Sequence, residues 1–112
     1  MNEKIDRTLR ALGLSPAYKG YEYIRFAVAA LIADRTLEKG VAVRIYPMIA
    51  EKYGTNVKSV DQAISKAIQA GWNYVSPAQR AVFGSLWANN RKKPTNKYFI
   101  VSVANYVDVQ KL

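Results

Sequence analysis

The side chains with the most chemistry to offer lie in one stretch, YPMIAEKYGTNVKSVDQAISKAI, from Tyr46 to Ile68. Within it Lys58, Ser59, Gln62, Ser65, Lys66 and Gln69 fall three and four residues apart. Such spacing places them on one side of a helix. A glutamine amide offers a donor and an acceptor together, which matches the major-groove edge of adenine. A lysine reaches guanine or a phosphate, and an aspartate accepts from the amino group of cytosine. The candidate base-reading set is therefore Asn56, Lys58, Ser59, Asp61, Gln62, Ser65 and Lys66, with Gln62 foremost. Each has a bland alternative. Ser59 and Ser65 would be solvated, and Asp61 would be a surface charge near a positive helix end.

A second set carries charge rather than pattern. The loop NNRKKP holds Arg91, Lys92 and Lys93, which suit phosphate contacts that position a protein without reading sequence. Arg44 and Lys52 flank the first helix of the stretch and are further phosphate candidates. The chain has 17 Lys and Arg against 8 Asp and Glu, a formal net charge of +9. After Asp61 no acid appears until Asp108, while Lys66, Arg80, Arg91, Lys92, Lys93 and Lys97 lie between. A basic interval directly after a polar helix face favours a polyanion such as nucleic acid over plain solubility charge.

The composition excludes other classes. With no cysteine and no histidine, disulfides, thiolate zinc sites and imidazole ligands are out, and no metal or cofactor is expected. The eight acids are scattered and no Gly-rich phosphate loop occurs, so the chain is not expected to be an enzyme. The longest apolar run, Phe26 to Ala33, is too short to span a bilayer, and MNEKIDRTLR has no signal-peptide core. A cytoplasmic location and no membrane partner are expected.

The elements that must position these residues read as helices. Ile5, Leu9 and Leu12 predict a helix over Glu3 to Leu12, stopped by Gly13. Lys19 to Leu37 is helical and apolar nearly all round, which marks a central core helix. Thr36 to Gly40 reads as a connection. VAVRIY alternates like a strand but has no partner nearby, so a helical turn before Pro47 is favoured; a helix starting earlier should be kinked there. Gly54 then makes the turn between two helices, with Ala50 small where they approach and Ile49, Tyr53, Val57, Val60 and Ile64 facing inward. The second helix runs from Val57 to Tyr74, with Gly71 inside it as a site of close packing or fraying. Ser76-Pro77 opens a short helix to Leu86, and Thr95 caps a last helix from Asn96 to Val107. Of the aromatics, Tyr23, Tyr53, Trp72, Trp87 and Phe99 fall on apolar faces, whereas Tyr18 and Tyr21 lie near a break and would be exposed without forming a stacking platform.

Four strings in one order, KGYEYIRFAV, YPMIAEKYGT, AISKAIQAGW and KPTNKYFI, give the chain a family likeness. From about Ile5 to Val107 it resembles the C-terminal DNA-binding effector domain of the sporulation master response regulator of endospore-forming bacteria. The resemblance implies a compact all-α domain of about six helices with a helix-turn-helix in the middle. It implies a sequence-specific transcription regulator bound to double-stranded DNA, as a head-to-tail homodimer on tandem sites, with RNA polymerase as a further partner. The chain departs from the family in two ways. These 112 residues leave no room for a phosphorylated receiver domain, so residues 1–112 are expected to be either an excised fragment or, the reading favoured here, a stand-alone effector domain with different control. The family's base-reading arginines are replaced at Ser59, Gln62 and Ser65, while the acid is kept as Asp61. Docking geometry carries over; the target sequence does not. The competing expectations are a protein-interaction module that binds an acidic partner and a non-specific nucleic-acid-binding domain.

Overall fold

The computed structural model describes residues 2–78 and 92–110, and among these the secondary structure is helical apart from an isolated bridge at Lys92. Five α-helices are present there: α1 (Asn2–Ala11), α2 (Lys19–Ala33), α3 (Tyr46–Tyr53), α4 (Val57–Tyr74) and α5 (Asn96–Gln110). The sixth helix expected from Pro77 to Leu86 shows only its first two residues, Pro77 and Ala78, and the remainder lies outside the described residues. Trp87 lies outside them as well.

The core is built around α2, which contacts α1, α3, α4 and α5. Its Tyr21, Tyr23, Ile24, Ala27, Val28 and Leu31 are buried, as expected of a helix apolar on most sides. From α5, Phe99, Ile100, Val103, Ala104 and Val107 are all fully buried, the apolar face read from the sequence. That helix starts at a real cap, for Thr95 Oγ1 accepts from the Tyr98 amide at 3.2 Å. Gly71 serves close packing, since an added Cβ there would lie 2.7 Å from Leu14 Cδ1.

Three local readings are corrected. The central helix ends at Ala33, not Leu37. Asp34 is extended, and its carboxylate accepts from both the Thr36 amide at 3.0 Å and the Thr36 hydroxyl at 2.6 Å. This side-chain bonding competes with the α-helical ladder and starts a 3₁₀ helix over Arg35–Gly40. Tyr21 is not exposed; only 1% of its surface is accessible. Its hydroxyl donates to the Asp6 carboxylate, and Arg10 closes on the same group at 3.2 Å, so the buried phenol has its polar partner. Tyr53 and Val57 do not face fully inward and remain 38% and 41% exposed, one on each side of the turn.

Val41–Ile45 is helical, as favoured, but as a π turn running straight into α3. The Tyr46 amide bonds the Val41 carbonyl five residues back. Pro47 has no amide to continue the normal ladder, and the widened turn lies directly before that missing donor.

Where α2 meets α4, Gly20 is buried against Ala63 and Ala67. An added Cβ would collide with the Ala63 carbonyl oxygen and lie 2.6 Å from its carbon. Backbone cannot swing aside as a side chain would. Gly20→Ala is therefore expected to lose at least the roughly 1–3 kcal/mol typical of overpacking. Urea unfolding followed by circular dichroism measures it, and an unchanged midpoint would refute the close crossing.

The Asp6 cluster adds a pH dependence. The Tyr21 hydrogen bond, helped by Arg10 and Arg25, holds the Asp6 carboxyl below its ordinary 3.8. A depressed carboxyl stabilises the fold above its unfolded value, and that contribution fades as pH falls through the folded one. Tyr21→Phe should thus lower stability at neutral pH, with the gap to the parent protein narrowing below about pH 4. Chemical unfolding at several pH values tests this; a constant gap would count against the bond.

Candidate nucleic-acid interface

The presentation of α4 begins with its entry turn. Gly54 adopts φ 65°, ψ 42°, the left-handed conformation that only glycine takes without strain. The Ala50 carbonyl then accepts from the Gly54 amide and from the Thr55 amide, the latter at 2.9 Å, which closes α3. Ala50 is buried here, as its size requires. Two residues on, Asn56 Oδ1 accepts from the Ser59 amide at 2.9 Å and opens α4.

From that start α4 divides cleanly into two sides. Val60, Ile64, Ala67, Ile68 and Gly71 are buried. Lys58, Ser59, Gln62, Lys66 and Gln69 are exposed, and Ser65 is half-buried. The core therefore needs nothing from the outward side.

The structure assigns different local tasks to the candidate residues. Lys58, Ser59, Gln62 and Lys66 stand open on α4. The Asn56 side chain is committed to its cap. Asp61 is tied to the start of α5, because Asn96 Nδ2 donates to its Oδ1 at 3.1 Å and to its carbonyl at 3.2 Å. Buried Tyr46 lies beside this pair, and burial pushes its phenol above the ordinary value. Ser65 Oγ accepts from Lys93 Nζ at 3.0 Å. One base-reading candidate and one phosphate candidate, 28 residues apart, are thus joined directly.

Among the remaining phosphate candidates, Lys92 is exposed and Arg91 lies outside the described residues. Arg44 donates back to the Thr36 carbonyl at 3.2 Å. The Lys52 ammonium sits 5.2 Å from the Phe26 ring centre and 5.6 Å from that of Tyr53, a cation–π placement. Arg44 and Lys52 are exposed, but they are engaged with other elements than the α4 face.

Two residues outside the sequence-based set belong to this surface. Asn96 clamps α5 to α4 through Asp61. Tyr18, just before α2, is 39% exposed and lines an open groove of about 530 Å³ with Gln62, Lys66, Gln69, Asn73 and Lys93. Asn96 has a signal in the sequence, its place directly after the Thr95 cap, but its partner 35 residues away has none.

A compact all-helical domain that bares one polar, basic helix face defines the class. Residues 5–107 match the family described as Sporulation initiation factor Spo0A C terminal, and the chain belongs to that family. The family is one of DNA-binding effector domains of sporulation transcription regulators and is not an enzyme family. Among the described residues, no helix is long and apolar enough to cross a membrane.

The Asn56 cap gives this surface its own test. Asn56→Ala should cost about 1 kcal/mol, the usual value of an N-cap. Hydrogen exchange should show the loss concentrated in the first turn of α4; uniform loss across all helices would contradict a local cap.

Proposed function

We propose that the chain binds double-stranded DNA sequence-specifically, with α3 and α4 as a helix-turn-helix and the first turns of α4 in the major groove. The observation that carries this reading is the unburdened outward side of α4, where exposed Lys58, Ser59, Gln62 and Lys66 have no part in the core. A helix face that contributes nothing to folding can be shaped entirely by what it touches.

Within this reading the candidates divide by task. Gln62 reads a base through its paired donor and acceptor, and Lys58, Ser59 and Lys66 lie close enough along the helix to contact neighbouring bases or phosphates. Asn56, Asp61 and Ser65, already bonded within the protein, hold the helix and its neighbours in place for that contact. Lys92, Lys93 and Arg91 bind phosphates, with Arg44 and Lys52 further out. The domain works in the cytoplasm as a transcription regulator, pairs head to tail on tandem sites, and acts on RNA polymerase from there.

Selection from a random duplex pool, followed by binding over a salt series, tests the reading. Enriched duplexes should share a motif, and affinity should fall with salt by roughly 0.9 in log slope for each phosphate engaged. Gln62→Ala should relax preference at one base pair, a discrimination of about 1–3 kcal/mol, and leave non-specific affinity nearly unchanged. No binding at low salt would leave the protein-interaction module as the better account, and binding without an enriched motif would leave an architectural role.

A further inference from the structure

The groove beside α4 has two flanks that come from distant parts of the chain, and helix geometry fixes where each one lies. At 3.6 residues per turn, Ala63 and Ser65 project about 200° apart. The start of α2 is seated on the Ala63 and Ala67 side through Gly20. The segment before α5 and the start of α5 are seated on the opposite side, through Lys93 on Ser65 and Asn96 on Asp61. Between these flanks runs the exposed strip Gln62, Lys66, Gln69 and Asn73. Gln62 to Asn73 covers about 16 Å of helix, too long for a single bound anion.

The chemistry of the lining is one-sided. Lys66 and Lys93 contribute cations, and among the described residues no acid lines the groove. Gln69 and Asn73 hold each other by a 3.0 Å hydrogen bond, which fixes a neutral polar floor. Tyr18 brings an apolar ring ending in a hydroxyl, a shape that covers a sugar and donates to a phosphate.

We propose that this groove grips the sugar–phosphate backbone of one DNA strand, with Tyr18 closing one flank and Ser65-held Lys93 the other. The proposal rests on the DNA-binding reading and adds to it a grip that runs from Gln62 along α4 toward Asn73, away from the helix's first turn. It also gives Ser65 a definite task. A hydroxyl already bonded within the protein holds the lysine that meets the backbone.

The test uses the 112-residue chain, unrelated duplexes and a salt series, with circular dichroism to confirm folding. Tyr18 is exposed, so Tyr18→Ala should fold as the parent does. It should weaken every duplex by about threefold to tenfold, the range for one lost hydrogen bond, and leave the salt slope unchanged because no charge is lost. Lys93→Met should weaken every duplex and reduce the slope by about 0.9. Tyr18→Phe should fall between Tyr18→Ala and the parent. If the parent binds duplex and Tyr18→Ala binds equally well, the groove proposal is wrong and the major-groove reading stands. If the parent itself fails to bind at low salt, both fall.

Discussion

Gly20 presses against the carbonyl of Ala63, and this approach of backbone to backbone decides where the outward side of α4 can point. A helix crossing set by long side chains can slide or rotate as rotamers change. A crossing with no side chain on one partner has far less freedom, because the interior is already packed to near-crystalline density. The contact also lies on the flank of α4, not at the middle of its buried side. It therefore fixes rotation about the helix axis as well as distance. Gly71, fitted chiefly against the Leu14 side chain farther along, seats the rear of the helix closely.

The opposite flank is fixed by polar bonds instead. Asp61 and Ser65, one turn apart, receive Asn96 and Lys93. These contacts are at least partly open to water, and each contributes modestly by itself. Their value lies in placement. They bring a lysine from the segment before α5 onto the face where Gln62 and Lys66 stand, and they tie the start of α5 to the helix it flanks. Apolar burial of Phe99, Ile100 and Val103 supplies the stability that holds α5; the polar pairs supply its register against α4.

Periodicity made most of this fold legible. The α4 boundaries, the α5 cap at Thr95 and the buried side of α5 all follow from spacing and capping rules that act within a few residues. The Gly54 turn followed from steric rules on the left-handed region. What could not be read was either a competition or a distant pairing. The early end of α2 depends on Asp34 outbidding the helix for the Thr36 amide, and propensity alone does not rank such contests. Tyr21 looked exposed because it follows a break; its burial depends on Asp6, fifteen residues away on another helix. The site divides the same way. The exposed side of α4 was visible as a pattern, whereas the pairings that use Asp61 and Ser65 exist only once α5 is in place.

Those pairings bear on how a family scaffold can work without the arginines its resemblance implies. An arginine at the position of Ser65 would reach outward with a rigid five-donor fork and read a base directly. Serine cannot, but it leaves room for Lys93 to cross over and takes its hydrogen bond. The positive charge is thereby kept on the same face while changing character, from a planar fork that reads base edges to a point charge that suits phosphate. With Ser59 and Ser65 short, Gln62 is the side chain on this face best able to make a paired contact to one base. In the proposed reading, sequence discrimination would concentrate on few positions, while affinity would lean on the backbone and hence on salt. The loss of arginines is thus no argument against DNA binding. In the proposed reading it would move recognition from base edges toward the strand that carries them.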